Sequence, residues 1–232
     1  FAASEMLPFW WKFIAFLIIS ITISCSNNGT NNDNVFRYNE YSNISSLDPA
    51  YSSTLRNIWP CNQLFNGLVK MDTKLNVVSD LAKDWTISED KKEYRFKIRD
   101  DIYFHKSKFF ENGTRKVNAH DFEYSFNRII DKNIASPGSW IMNNVESFEA
   151  INDSIFSVKL HKQFSSFIEI LTMKYCSVVP KEVVENLGDA FSKSPIGTGP
   201  FKFKRWDENI KMVLVKNENY FEVDSLANSN QN

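Results

Sequence analysis

The chain has 232 residues with 27 basic and 28 acidic side chains, a formal charge of -1 that excludes a nucleic-acid surface built on bulk positive charge. A composition of 43% hydrophobic and 24% charged residues is that of a folded globular body, neither disordered nor polytopic, and the length allows one large domain or two small ones. There are 20 Phe but only 7 Gly, against roughly 16 at average usage, so few loops are available to cradle a phosphate.

In chain order, the first feature is Phe13 to Ser24, an uncharged and mostly apolar run behind Lys12. A membrane-crossing helix needs about 20 apolar residues for about 30 Å of hydrocarbon, and this run is shorter. It fits the apolar region of a secretory signal peptide, with Met6 as the natural start and Phe1 to Glu5 as upstream read-through. The run ends at Ile23-Ser24-Cys25 and the sequence then turns polar. This resembles the lipobox of bacterial lipoproteins, in which Cys25 would be acylated, although Thr22 stands where that pattern prefers Leu. An uncleaved signal-anchor over Phe9 to Ser24 is the alternative. Residues 1–25 are thus expected to be a signal peptide with lipobox and residues 26–34 a flexible tether. Cys61 and Cys176 remain; an oxidising envelope permits a disulfide between them, spacing does not decide it, and two buried free thiols are the preferred reading.

Beyond the tether, short strands and helices mix. Val35 to Glu40 reads as a strand closed by turn residues as far as Asp48-Pro49. Ser52 to Phe65 reads as a helix with Pro60 inside, implying a kink or a late start, and Gly67 as its end. Glu93 to Arg99 alternates, with Tyr94, Phe96 and Ile98 on one face, which predicts a half-buried strand paired to Asp84 to Ile87 through the turn Ser88 to Lys92. Asn118 is an N-cap with Asp121 three positions on, followed by Phe122, Phe126, Ile129 and Ile130 on one helical face as far as about Asp131. Val145 to Ile151 and Ile155 to Leu160 flank the hairpin signal Asn152-Asp153-Ser154. Phe164 to Met173 reads as a short helix, and Pro180 opens another that Gly188 caps. Phe201 to Trp206 and Ile210 to Lys216 alternate around the turn Asp207 to Asn209.

The catalytic inventory is thin. His105, His120 and His161 are isolated, with neither zinc spacing nor a nucleophile motif beside them, so each reads as a surface or satisfied structural group. Gly197-Thr198-Gly199 lacks the following helix that would hold an anion and reads as a tight turn. No metal, cofactor or enzymatic role is expected.

Three blocks in order carry a resemblance. Ser46-Leu47-Asp48-Pro49 precedes Leu64-Phe65-Asn66-Gly67-Leu68-Val69; next come Tyr94 to Arg99, Ile102-Tyr103-Phe104-His105 and Val117 to Phe126; last, Pro195-Ile196-Gly197-Thr198-Gly199-Pro200-Phe201 leads to Asn217-Glu218-Asn219-Tyr220. Together they resemble the family 5 extracellular solute-binding proteins, the oligopeptide and dipeptide receptors of ABC importers. Within the second block, Lys106-Ser107 replaces the usual Asp-Gly after His105, with a short insertion before Asn112-Gly113.

The resemblance implies a mixed α+β, periplasmic-binding-protein-like clamshell of two lobes, of which this chain holds part of the base lobe (35–49 and 169–232) and an inserted small subdomain (50–168). It implies capture of peptides, in strand-like fashion, for a membrane permease with its ATPases. A sensor or adaptor lipoprotein, or a receptor for nickel, haem or oligosaccharide, is the alternative. Aligned on the family, Ser53, Thr54 and Leu55 fall on the ligand-contacting loop, and Trp140, within Ala135-Ser136-Pro137-Gly138-Ser139-Trp140, falls beside the ligand. For Ser53 to Leu55 the first turn of a helix is an equal reading, and for Trp140 a core position. The body is expected to face the periplasm, held to the membrane by its lipid anchor. Lacking an opposing lobe, the chain by itself is expected to bind peptide weakly or not at all.

Overall fold

The computed structural model describes residues 35–222, and the chain divides into two units between Asn39 and Glu40. In the first unit, residues 35–39 carry no regular secondary structure. The strand expected over Val35 to Glu40 is therefore not formed: alternation is not enough without a neighbour to accept its N–H and C=O groups, and no described strand pairs there.

The second unit is a mixture of helices and antiparallel sheets. Asp48 caps a single turn, Pro49–Tyr51, and the chain stays extended at Thr54 before helix α1, Leu55–Leu64. The helix starts three residues later than its pattern predicts, and Pro60 is accommodated inside it. It ends at Phe65, whose N–H bonds the Cys61 carbonyl, rather than at Gly67. Gly67 instead gives its carbonyl to the Leu81 N–H. A small hairpin follows, β1 (Val69–Met71) with β2 (Val77–Ser79). Three residues per strand are too few to show alternation, which is why the sequence did not announce it.

The main sheet has β3 (Ala82–Ile87), β4 (Glu93–Ile98), β5 (Val145–Asn152) and β6 (Ile155–Leu160) in the order β3-β4-β6-β5, all antiparallel. Its alternation is as read: Tyr94, Phe96 and Ile98 are buried while Arg95 and Lys97 face solvent. The β5–β6 turn closes on Asn152, whose Oδ1 accepts from the Ser154 and Ile155 N–H groups. Helix α2, Ala119–Ile130, lies on the buried face and begins with a reciprocal capping box between Asn118 and Asp121. Phe126 meets Phe148 and Phe156 edge-on at 5.7 and 5.1 Å, and Phe122 stands 5.9 Å from Phe156. The surplus of phenylalanine is put to use here: among the described residues seven of them, from Phe65 to Phe191, have fully buried side chains.

Helix α3 is only Phe167–Ile170, shorter than the Phe164 to Met173 expected, and α4 is Lys181–Leu187, closed by Gly188 at a φ of 52°. The last hairpin pairs β7 (Phe201–Asp207) with β8 (Lys211–Lys216). Before it, Gly197 and Gly199 run against the C-terminal end of α1, where the Gly199 N–H bonds the Leu64 carbonyl at 2.9 Å. A Cβ at Gly197 would overlap that carbonyl and one at Gly199 the Gln63 carbonyl, so the two glycines serve close backbone approach more than a tight turn. Cys61 and Cys176 are both free and buried. Among the described residues no helix is long and apolar enough to cross a membrane. The signal-peptide and tether segments lie outside the described residues.

Candidate functional site

The segment Leu47 to Leu55 is pinned from several sides. Asp48 accepts the Ala50 N–H at 3.0 Å, so its side chain shapes the turn that leads into Ser53. From α2, Arg128 reaches the same carboxylate with both terminal nitrogens, Nη1 to Oδ1 at 3.1 Å and Nη2 to Oδ2 at 2.6 Å. The two side chains are only 10% and 5% exposed. Burial opposes the Arg128 charge, but hydrogen bonds and charge from Asp48 outweigh it and hold the guanidinium pKa above its ordinary value.

Two further bonds tie this segment to a loop far away in sequence. The Tyr51 hydroxyl donates to the Ile134 carbonyl at 3.0 Å, and the Ser136 hydroxyl to the Ala50 carbonyl at 2.6 Å. That loop carries Gly138 packed so closely on the Tyr175 ring that no Cβ fits, and then Trp140. Trp140 is 47% exposed at the start of the turn Ser139–Asn144, so it is not a core tryptophan. The structure thus joins the two segments that hold the expected ligand residues.

The strip itself offers main-chain groups. The Ser53 N–H folds back on the Tyr51 carbonyl at 2.8 Å, and the Thr54 carbonyl accepts from Asn57 and Ile58. Among the described residues the Ser53 carbonyl and the Thr54 and Leu55 N–H groups have no partner. Thr54 is the N-cap of α1 but makes no side-chain cap bond, which leaves the first turn of that helix open, and Leu55 is 72% exposed. Both readings of Ser53 to Leu55 therefore coexist: Leu55 opens the helix, and the unpaired groups sit at its entrance. Trp59, one turn after Leu55 on the same helix face and half exposed, escaped the sequence reading, although its four-residue spacing from Leu55 was legible. Cys25 lies outside the described residues.

Elsewhere the polar groups are structural. His105 is buried, with Nε2 2.9 Å from the Gly199 carbonyl and Nδ1 accepting from the Gly197 N–H at 3.4 Å, an arrangement for the neutral ring. Burial pushes its pKa down to about 4. Arg115 clamps Asp121 and Glu182, joining α2 to α4. Asp80, buried beside Lys70, takes the Gly67 N–H and the Asn66 amide, and desolvation lifts its pKa. No group of His, Cys, Asp and Glu among the described residues has the makings of a metal site.

A family model for the bacterial extracellular solute-binding proteins, family 5 (middle region), matches residues 76–230, more than half of the chain. The chain belongs to the family 5 bacterial extracellular solute-binding proteins. Among relatives of this family 5 protein, the probable di/tripeptide-binding protein 5 of Pseudomonas aeruginosa (strain UCBPP-PA14) is 29% identical over 177 residues, covering 68% of this chain and 33% of that one. Heme-binding protein A of Haemophilus influenzae is 28% identical over 176 residues, covering 68% and 32%. In structure, the ABC transporter-associated periplasmic binding protein DppA from Helicobacter pylori, solved with the peptide STSA, matches with a TM-score of 0.71 and 29% identity, covering 78% of this chain and 38% of that one. The family 5 chain thus has a periplasmic-binding-protein fold and spans about a third of the length of the curated relatives it matches.

Proposed function

We propose that this chain contributes one side of a peptide-binding site in a solute-binding receptor that captures peptides in the cell envelope and hands them to an ABC permease. The observation that carries the reading is the strip Ser53 to Leu55, whose unpaired carbonyl and N–H groups flank the extended Thr54 just after the turn held by Asp48 and Arg128. An extended peptide needs such alternating main-chain donors and acceptors, and binding through the backbone tolerates varied side chains. Trp140, on the loop bonded to Ala50 and Tyr51, supplies an aromatic wall. The names of the relatives support peptides as the ligand class, with haem as the second reading because one relative is a haem-binding protein. A sensor or adaptor role would use the same face.

In this proposal residues 35–49 and 169–232 belong to a base lobe, 50–168 to a subdomain inserted in it, and Cys25 carries a lipid anchor that keeps the body at the membrane. No catalytic step is assigned.

The test is Leu55→Pro. Leu55 is the first residue of α1, a position where proline is tolerated, and Thr54 before it already has the extended backbone that proline requires. The substitution removes one donor of the strip and leaves the helix standing. Binding of a tetrapeptide to a receptor carrying the change should weaken roughly tenfold, the scale of one hydrogen bond, at unchanged thermal midpoint. Unchanged binding would contradict the strip, and tighter binding of haem than of peptide would favour the second reading.

A further inference from the structure

The β7–β8 hairpin has no third strand among the described residues, and its two faces differ. Phe203 lies opposite Leu214 and Trp206 opposite Met212, and all four pack toward the core. The other face carries Lys202 opposite Val215, Arg205 opposite Val213 and Asp207 opposite Lys211, with Lys204 in the bulge between Phe203 and Arg205. Over residues 201–216 five basic side chains stand against two acidic ones, in a chain whose total charge is -1.

Both acidic groups are taken up. Asp207 pairs with Arg205 at 3.2 Å and Glu208 with Lys193. Lys202, Lys204 and Lys211 form no ion pair among the described residues. At the tip, Asn209 takes a φ of 62° and the next residue, Ile210, is 80% exposed. An isoleucine held out to water beside unpaired lysines combines the two features a lipid interface rewards, an apolar tip and positive charge.

The hairpin also sits at the right place. Ile44 and Ser45 share one recess with Trp206, Glu208 and Asn209, so the tip lies beside the point where the chain enters its second unit. On the proposed reading in which Cys25 carries a lipid anchor, the chain from Cys25 to Ile44 spans at most about 68 Å when extended, which keeps the tip within reach of the bilayer.

We infer that the outer face of the β7–β8 hairpin, with Ile210, Lys202, Lys204 and Lys211, docks on anionic phospholipid headgroups of the membrane to which the protein is tethered. An acidic protein surface would also attract the lysines but has no comparable use for a lone exposed Ile210. The inference does not depend on which solute is bound.

The experiment is sedimentation of the full chain with vesicles of phosphatidylcholine alone and of phosphatidylcholine mixed with phosphatidylglycerol, at low and high salt. The apolar run Phe13 to Ser24 binds both kinds, so the quantity read is the excess on the anionic vesicles. The expected result is a clear excess that high salt removes and that Lys202→Gln, Lys204→Gln and Lys211→Gln together lower on the order of a hundredfold, about fivefold per lysine. These side chains are on the surface, and an unchanged thermal midpoint verifies the fold. Ile210→Ser should lower binding to both vesicle types severalfold. Equal binding to the two kinds, or an excess that survives the triple substitution, overturns the inference. So does an excess matched by capture on immobilised polyglutamate that Ile210→Ser leaves intact, which assigns the face to an acidic protein partner.

Discussion

At the scale of single residues, the most consequential contact is Arg128 with Asp48. The residues are 80 positions apart, both nearly buried, and the carboxylate also caps the turn that aims the strip. Arg128→Met should destabilise the fold by about 3–5 kcal/mol, because an unpaired carboxylate is left inside. Asp48→Asn combined with Arg128→Met should recover much of that loss in urea unfolding, and a single substitution costing under about 1 kcal/mol would show the pair to be incidental. His105 makes a second prediction. Its folded pKa of about 4 lies below its ordinary 6.5, so between these values the unfolded chain binds the proton and the native chain does not. The stability this neutral ring contributes is complete above about pH 6.5 and is lost as pH falls toward 4, up to about 3 kcal/mol. His105→Gln should flatten the stability profile in that window; an unaltered slope would mean that the ring titrates normally. These residues show where sequence is legible. The Asn118–Asp121 box is local and was readable, whereas nothing near Asp48 names Arg128 as its partner, because a pairing across 80 residues is decided by the packing of α2 on the sheet.

At the scale of elements, period and caps identified the strands of the main sheet and helix α2, since one face of each is buried and the other is wet. The failures share a cause. Val35 to Glu40 alternates but has no described strand beside it, and α3 contracts because Ser165-Ser166 before it and Leu171-Thr172 after it form turns. Of the candidate site, the segment was proposed by resemblance, but which of its main-chain groups are left open is decided by the inward fold of the Ser53 N–H on Tyr51 and by the start of α1 at Leu55, which no pattern encodes. The crossing of Gly197 and Gly199 over the end of α1 allows a sharp comparison. Gly197→Ala pushes a methyl into the Leu64 carbonyl and should destabilise by more than about 3 kcal/mol or prevent folding. Gly113→Ala meets nothing within 4 Å and suffers only from its φ of 75°, so it should cost about 1–2 kcal/mol. Equal losses in thermal or urea unfolding would refute the close-approach reading.

At the scale of the whole molecule, the fold is that of a periplasmic binding protein, and the proposed site is one face: the main-chain groups of Ser53 to Leu55, the turn that Asp48 caps before them and Trp140 on the adjoining loop. A peptide held from one side keeps its other edge in water, so binding to this chain by itself should be no tighter than about millimolar. In the proposed receptor, capture at biological affinity requires a second surface over the ligand. The measurement that bears most directly on this account is an NMR titration of the chain with a tetrapeptide at millimolar concentration. The account predicts shifts confined to the amides of Thr54 and Leu55, their neighbours and the Trp140 indole, with saturation only near the top of the range. Shifts centred elsewhere, none at the strip, or saturation at micromolar peptide would contradict it.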